Sequence, residues 1–144
     1  MSRKKKPLPL LEDVEISGVA AEGKAIARVS LDSSGENKLA LFVPYAAPGD
    51  IADIQIDRRK HSFAEGHIVR LNKASDERVE PVCKHFGLCG GCRWQHLPYT
   101  AQLRYKQQQV VDALTRIGHV QLPEVTPISG SEKIYGYRNK MEYT

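Results

Sequence analysis

The 144 residues allow one ordinary domain or two small ones, and an apolar fraction of 41% supports a core of modest size. No apolar run approaches the ~20 residues of a membrane span. The charged N-terminus leads into no long apolar segment, which excludes a secretory signal and leads us to expect a cytoplasmic protein with no membrane partner. The net charge of +4 is unevenly laid out: residues 1–82 carry 13 Lys/Arg against 13 Asp/Glu, and residues 83–144 carry 8 against 4. Local basic clusters, Arg3-Lys4-Lys5-Lys6 and Arg58-Arg59-Lys60-His61, suit contact with nucleic acid and equally suit a solvated tail and turn.

In chain order, residues 1–11 read as a basic disordered tail, with Pro7 and Pro9 blocking regular structure. Residues 12–72 carry strand signals separated by turns. A first strand is expected over residues 13–19 and a second over 24–31, where Ala25, Ala27, Val29 and Leu31 recur with period two. After the turn-forming residues 32–37, a third strand over 38–43 places Leu39, Leu41 and Val43 on one face. Pro44 and Pro48-Gly49-Asp50 stop it. A fourth strand over 51–58 faces Ile54 and Ile56 inward, residues 59–63 make a basic hairpin tip, and a fifth strand spans 64–71. Five short antiparallel strands in about 60 residues fit a small OB-like barrel, because closure removes exposed edges. Its aromatic residues are Phe42, expected in the core, and Tyr45 and Phe63, expected to plug the barrel ends; each could instead contact an oligonucleotide.

Residues 73–97 read as a polar linker and a cysteine loop. All three cysteines fall within it, as Cys83, Cys89 and Cys92, in a Cys-x5-Cys-x2-Cys spacing threaded by Gly87, Gly90 and Gly91. In a cytosolic protein, clustered thiols favour a metal over a disulfide. Three thiolates leave a fourth ligand open. Adding His96, or His85 as a second candidate, gives a Cys3His zinc set, whereas a [4Fe-4S] cluster needs one more cysteine. Spacing alone leaves zinc and iron–sulfur both open.

Residues 98–118 read as one helix, with Pro98 at its start, Gly118 at its end, and Leu103, Val110, Leu114 and Ile117 on one face packed as ordinary core. Residues 122–136 are turn-rich. Residues 137–144 alternate like a strand on which the chain stops, so residues 98–144 are expected to be a helix and the truncated start of a further domain. The whole is a mainly β chain: a five-stranded barrel, a cysteine-rich metal loop, an amphipathic helix and the first strand of another domain. The basic residues taken as RNA contacts are Arg58, Arg59, Lys60, Arg138 and Lys140. A monomer is expected.

The segment Cys83-Lys-His-Phe-Gly-Leu-Cys-Gly-Gly-Cys-Arg-Trp-Gln-His96 resembles the cluster loop of the RNA (uracil-5-)-methyltransferases, in particular the RumA-like enzymes acting on 23S ribosomal RNA. Residues 12–72, with Leu41-Phe-Val-Pro44, Pro48-Gly-Asp50 and Phe63-Ala-Glu-Gly66, resemble that family's TRAM domain, and residues 137–144 resemble the strand opening its central domain. The resemblance implies a [4Fe-4S] cluster held by Cys83, Cys89 and Cys92, with a fourth cysteine beyond residue 144, and a TRAM barrel that binds RNA. It further implies an S-adenosylmethionine domain with a nucleophilic cysteine for uracil C6 and a glutamate base. These 144 residues hold no cysteine after Cys92 and no glycine-rich loop for that cofactor. The expectation is therefore an RNA-binding front part of a larger enzyme, inactive alone, with the cluster in a structural role. The competing expectation is a stand-alone RNA-binding module with a Cys3His zinc site.

Overall fold

The computed structural model describes residues 8–32, 35 and 37–140. Residues up to Pro98 and residues from Tyr99 onward form two compact units. In the first unit the strands are β1 (Leu10–Glu15), β2 (Gly18–Val19), β3 (Ala25–Ser30), β4 (Lys38–Val43), β5 (Ile51–Arg59) and β6 (Phe63–Lys73). They form one sheet in the order β1-β5-β6-β4-β3-β2, with β4 and β6 parallel and every other pair antiparallel.

The first expected strand is really two. Residues 10–15 pair with β5, and residues 18–19 pair with β3. One stretch of chain thus bridges both edges of the sheet and closes it into the OB-like barrel. The bend between them is fixed by backbone bonds: Ile16 N–H donates to Asp50 O at 2.9 Å, and Ser17 N–H to Ile26 O at 2.9 Å. Alternation then sorts the side chains. Ala25, Ala27, Val29, Leu41, Val43, Ala52, Ile54, Ile56 and Ala64 turn inward and are buried together with Val14, Ile16 and Ala46. Alanines at five of these positions suit the narrow lumen of a small barrel. Gly66 is needed for a similar reason: a Cβ there would lie 2.5 Å from the Gln55 carbonyl oxygen and 2.8 Å from Ile54 Cγ2.

Three expectations change. The tail reading fails over residues 8–11: β1 begins at Leu10, Leu8 and Leu11 pack on the core, and Ile56 N–H donates to Pro9 O at 3.1 Å. Proline lacks a donor but keeps an acceptor, so it serves at a strand edge. Residues 1–7 lie outside the described residues. Phe42 is not core. Leu41 and Val43 face inward, which forces Phe42 to the outer surface, where it meets Phe63 edge-to-face at 5.8 Å. Phe63 accordingly plugs no barrel end.

In the second unit, α1 (Tyr99–Asp112) runs on into a wider π-helical turn, Ala113–Ile117, which Gly118 ends by donating its N–H to Ala113 O. Residues 126–131 are held along the helix: Gln107 Nε2 donates to Thr126 O, Ile128 N–H donates to Gln107 Oε1, and Ser131 N–H donates to the Tyr99 hydroxyl. The expected core stripe is largely uncovered, with Val110, Leu114 and Ile117 at 58%, 41% and 80% exposure. Residues 137–140 adopt no strand, because no described strand offers them a ladder, and residues 141–144 lie outside the described residues.

Candidate metal loop and nucleic-acid interface

The linker ahead of the cysteines is docked on the barrel. Asp50, fully buried in the β4–β5 turn, accepts hydrogen bonds from Ala47 N (2.6 Å), Ser75 N (2.9 Å), Arg78 Nε (2.8 Å) and Arg78 Nη2 (2.7 Å). Arg78 Nη2 also donates to Tyr45 O at 3.0 Å. Burial alone would raise the Asp50 carboxyl, but the bonds from Arg78, Ala47 and Ser75 outweigh it and hold the group below its ordinary range.

Residues 80–95 leave this base as a loop and return to it. Val79 N–H donates to His96 O at 3.0 Å and closes the loop's neck. His96 is buried, donates Nε2–H to Ala46 O at 3.1 Å and lies 5.5 Å from the Phe86 ring, which in turn meets Tyr45 edge-on at 5.3 Å. Trp94 donates its indole N–H to Gly23 O at 3.0 Å. Gly23 sits at φ 73°, and a Cβ on it would come within 2.8 Å of Arg93 Cβ, so only glycine admits this approach.

The three thiols stand on the outer part of the loop. Cys83 is half-buried, Cys89 and Cys92 are exposed, and none is in a disulfide. Gln95 links two of them, accepting from Cys83 N–H at 3.1 Å and donating to Cys92 Sγ at 3.2 Å. Gly87 and Gly90 take positive φ values of 85° and 72°, which let the loop curl. Among the described residues, no three Cys, His, Asp or Glu side chains converge as a metal set. The donor chemistry fits a soft metal centre: three thiols outside any disulfide, two exposed and one half-buried, on a glycine-rich loop.

His96 stands at the base of the loop with its Nδ1 buried and, among the described residues, without a hydrogen-bond partner. Its Nε2–H is committed to Ala46, and its ring is packed beneath the loop against Phe86. Among the described residues neither a Cys3His96 set nor the three cysteines by themselves are gathered as metal ligands. Burial also pushes the imidazole below its ordinary value, only partly offset by the bond to Ala46, so the ring stays neutral. The sequence held no signal for this role, because a histidine three residues after a cysteine looks like a ligand wherever its ring turns.

The candidate RNA-binding residues fall into two places. Arg58, Arg59 and Lys60 share the β5–β6 hairpin, where Arg59, Lys60 and His61 line a recess with Lys38, Leu39 and Asp32. Arg58 lies 3.6 Å from Glu65 and stacks 5.9 Å from the Phe63 ring centre. Arg138 and Lys140 belong to the second unit, in a stretch without regular structure. The hairpin tip is at one end of β5, and the turn carrying the cysteine loop's anchors is at the other. Nine residues of strand separate the two ends by roughly 30 Å.

Residues 12–69 match the TRAM domain family. A protein of Bacteroides thetaiotaomicron described as an uncharacterized RNA methyltransferase is 53% identical over 126 residues, 88% of this chain and 26% of its own length. One of Porphyromonas gingivalis with the same description is 47% identical over 131 residues, covering 91% of this chain and 27% of that protein. The chain thus spans about a quarter of the length of these relatives. The crystal structure of Pyrococcus abyssi tRNA (uracil-54, C5)-methyltransferase with S-adenosyl-L-homocysteine aligns over 88% of this chain and 25% of that one, at 29% identity and a TM-score of 0.46.

Proposed function

We propose that this chain, with its TRAM match and its likeness to proteins described as RNA methyltransferases, is the RNA-binding, cluster-holding part of an enzyme that methylates uracil C5 in RNA. The observation that carries this reading is the junction just described. A barrel with a basic hairpin at one end holds, at the other, a thiol-bearing loop fixed by Asp50–Arg78, Trp94–Gly23 and His96–Ala46.

In this reading Cys83, Cys89 and Cys92 hold a [4Fe-4S] cluster, with a fourth ligand from outside these residues. When bound, the cluster cross-links the loop and needs no electron transfer for methyl transfer. Gln95 would set the spacing of Cys83 and Cys92. The methyl donor is S-adenosylmethionine, and the residues that bind it and attack the base belong to the three quarters of the relatives' length that this chain does not span. The substrate is ribosomal RNA, with 23S RNA the first candidate.

The test is RNA binding by the chain as a function of salt. Binding through phosphates gives a log Kd that rises linearly with log salt. Replacing Arg58 and Arg59 together with Glu should weaken binding and reduce that slope by about 1 to 2. An unchanged slope would remove the hairpin from the interface. The chain alone should transfer no methyl group, and measurable transfer from labelled S-adenosylmethionine would overturn the assignment of catalysis elsewhere.

A further inference from the structure

The strand register places side chains on the outer face of β3, β4, β6 and β5 in two cross-strand rungs. In one, Ile26 pairs with Phe42, Phe42 with Glu65, and Glu65 with Arg58. In the other, Arg28 pairs with Ala40 and Ala40 with Phe63. Phe42 and Phe63 lie edge-to-face at 63°, half-buried, with Arg28 exposed beside them. Arg58 covers Phe63 from the next strand. Of the acidic side chains near this face, Glu65 is occupied by Lys24 at 3.0 Å and Arg58 at 3.6 Å and Asp57 meets His67 at 2.8 Å, while Arg28 also borders a recess lined by Glu12, Asp13 and Glu15. The face runs toward the recess lined by Lys38, Arg59, Lys60 and His61 together with Asp32.

Nothing in the core requires aromatic residues here. The inward side chains of these strands already fill the lumen, and an exposed strand face normally carries polar residues. Flat rings between cations match a strand of unpaired bases. Bases can lie on the rings while phosphates meet the guanidinium and ammonium groups. In OB-like barrels, the face of the second and third strands and the loop between the fourth and fifth are the usual oligonucleotide contacts. Counting β1 and β2 as one strand, these are β3, β4 and the basic hairpin.

Resting on the RNA-binding reading above, we propose that this face is a track for single-stranded RNA. Phe42 and Phe63 are its stacking residues, and Arg28, Arg58 and Lys60 hold the backbone. The track gives the basic hairpin a direction: a strand entering at Lys60 runs across Phe63 and Phe42 toward Ile26.

The test is fluorescence anisotropy of the chain with a labelled oligouridylate of about ten nucleotides. Phe42→Leu with Phe63→Leu should weaken binding about tenfold or more while leaving the salt slope unchanged. Arg28→Glu, at an exposed position, should weaken binding and lower the slope by about 1. Arg116→Glu on the second unit is the control for charge alone and should change little. Photocrosslinking to 4-thiouridine RNA should mark Phe63 or Phe42 in the wild-type chain, a readout independent of the variants' stability. Binding that survives the phenylalanine pair with crosslinks elsewhere overturns the track but leaves RNA binding standing. Equal loss with Arg116→Glu, or equal competition by duplex RNA, also overturns the track. A wild-type chain that binds no RNA overturns the underlying reading.

Discussion

Trp94 donates its indole N–H to the carbonyl of Gly23, 71 positions earlier, at 3.0 Å. This bond joins the return leg of the cysteine loop to the turn between β2 and β3. It depends on two residues whose pairing sequence reasoning passed over, a tryptophan noted only within the Cys83–His96 segment and a glycine given no reading. Trp94→Phe keeps the ring and removes the donor, which should cost about 1 kcal/mol. Gly23→Ala should cost more, since it imposes both a positive-φ strain and a clash with Arg93. Urea denaturation measures both costs. The rate at which Cys83 reacts with a thiol reagent should rise in both variants, and an unchanged rate would show that the loop is not held from this side.

The Asp50–Arg78 pair should be the most sensitive point in the first unit. Arg78→Ala leaves a buried carboxylate with only its two backbone donors, a change that costs about 3–5 kcal/mol for buried pairs. Because the Asp50 carboxyl lies below its ordinary 3.8, its contribution is fully present above that pH and is lost as pH falls through the lower folded value. Denaturation midpoints between neutral pH and pH 3 should therefore fall more steeply for wild type than for Asp50→Asn. Parallel curves would contradict this.

His96 has the same sign in a different window. Its folded value is held below the ordinary 6.5 by burial, so the unfolded chain binds the proton first. The neutral ring's contribution is complete above about pH 6.5 and erodes as pH falls below it. Amide exchange at Val79, whose N–H donates to His96 O, should quicken relative to the barrel strands between pH 7 and 5.5, after correction for intrinsic rates. His96→Gln should flatten that dependence.

Gly66 tests the barrel itself. Its φ is ordinary, so alanine there incurs no backbone penalty, only the contact with Gln55 O and Ile54. Gly66→Ala should lower stability by about 1–3 kcal/mol, with a fall of several degrees in melting temperature. A neutral result would mean that β5 and β6 can part without loss.

Much of this architecture was legible in the sequence. Period-two alternation located the strands because one face of each lines a closed core. Pro44, Pro48 and Gly49 marked the turn that now carries Asp50. The cysteine spacing marked the loop. What stayed hidden were relations between distant residues. Alternation placed Leu41 and Val43 inward, and Phe42 should have followed outward from the same pattern; its hydrophobicity obscured that. Residues 137–140 alternate as a strand does, but a strand exists only where another supplies its hydrogen bonds. Leu103, Val110, Leu114 and Ile117 were expected as a packed stripe, yet Leu114 and Ile117 fall in the π-helical turn after α1 and Val110 and Ile117 are exposed, because an amphipathic pattern does not name the surface that covers it. His96 and Arg78 showed only their residue types, not their partners.

The central claim is that Cys83, Cys89 and Cys92 hold an iron–sulfur cluster on an RNA-binding barrel. It is tested most directly by metal and acid-labile sulfide analysis of the anaerobically purified protein. Iron and sulfide should be present together, with zinc below stoichiometry, and both should be lost together in Cys89→Ser while His96→Gln retains them. Stoichiometric zinc without sulfide, or iron binding indifferent to Cys89, would contradict the account.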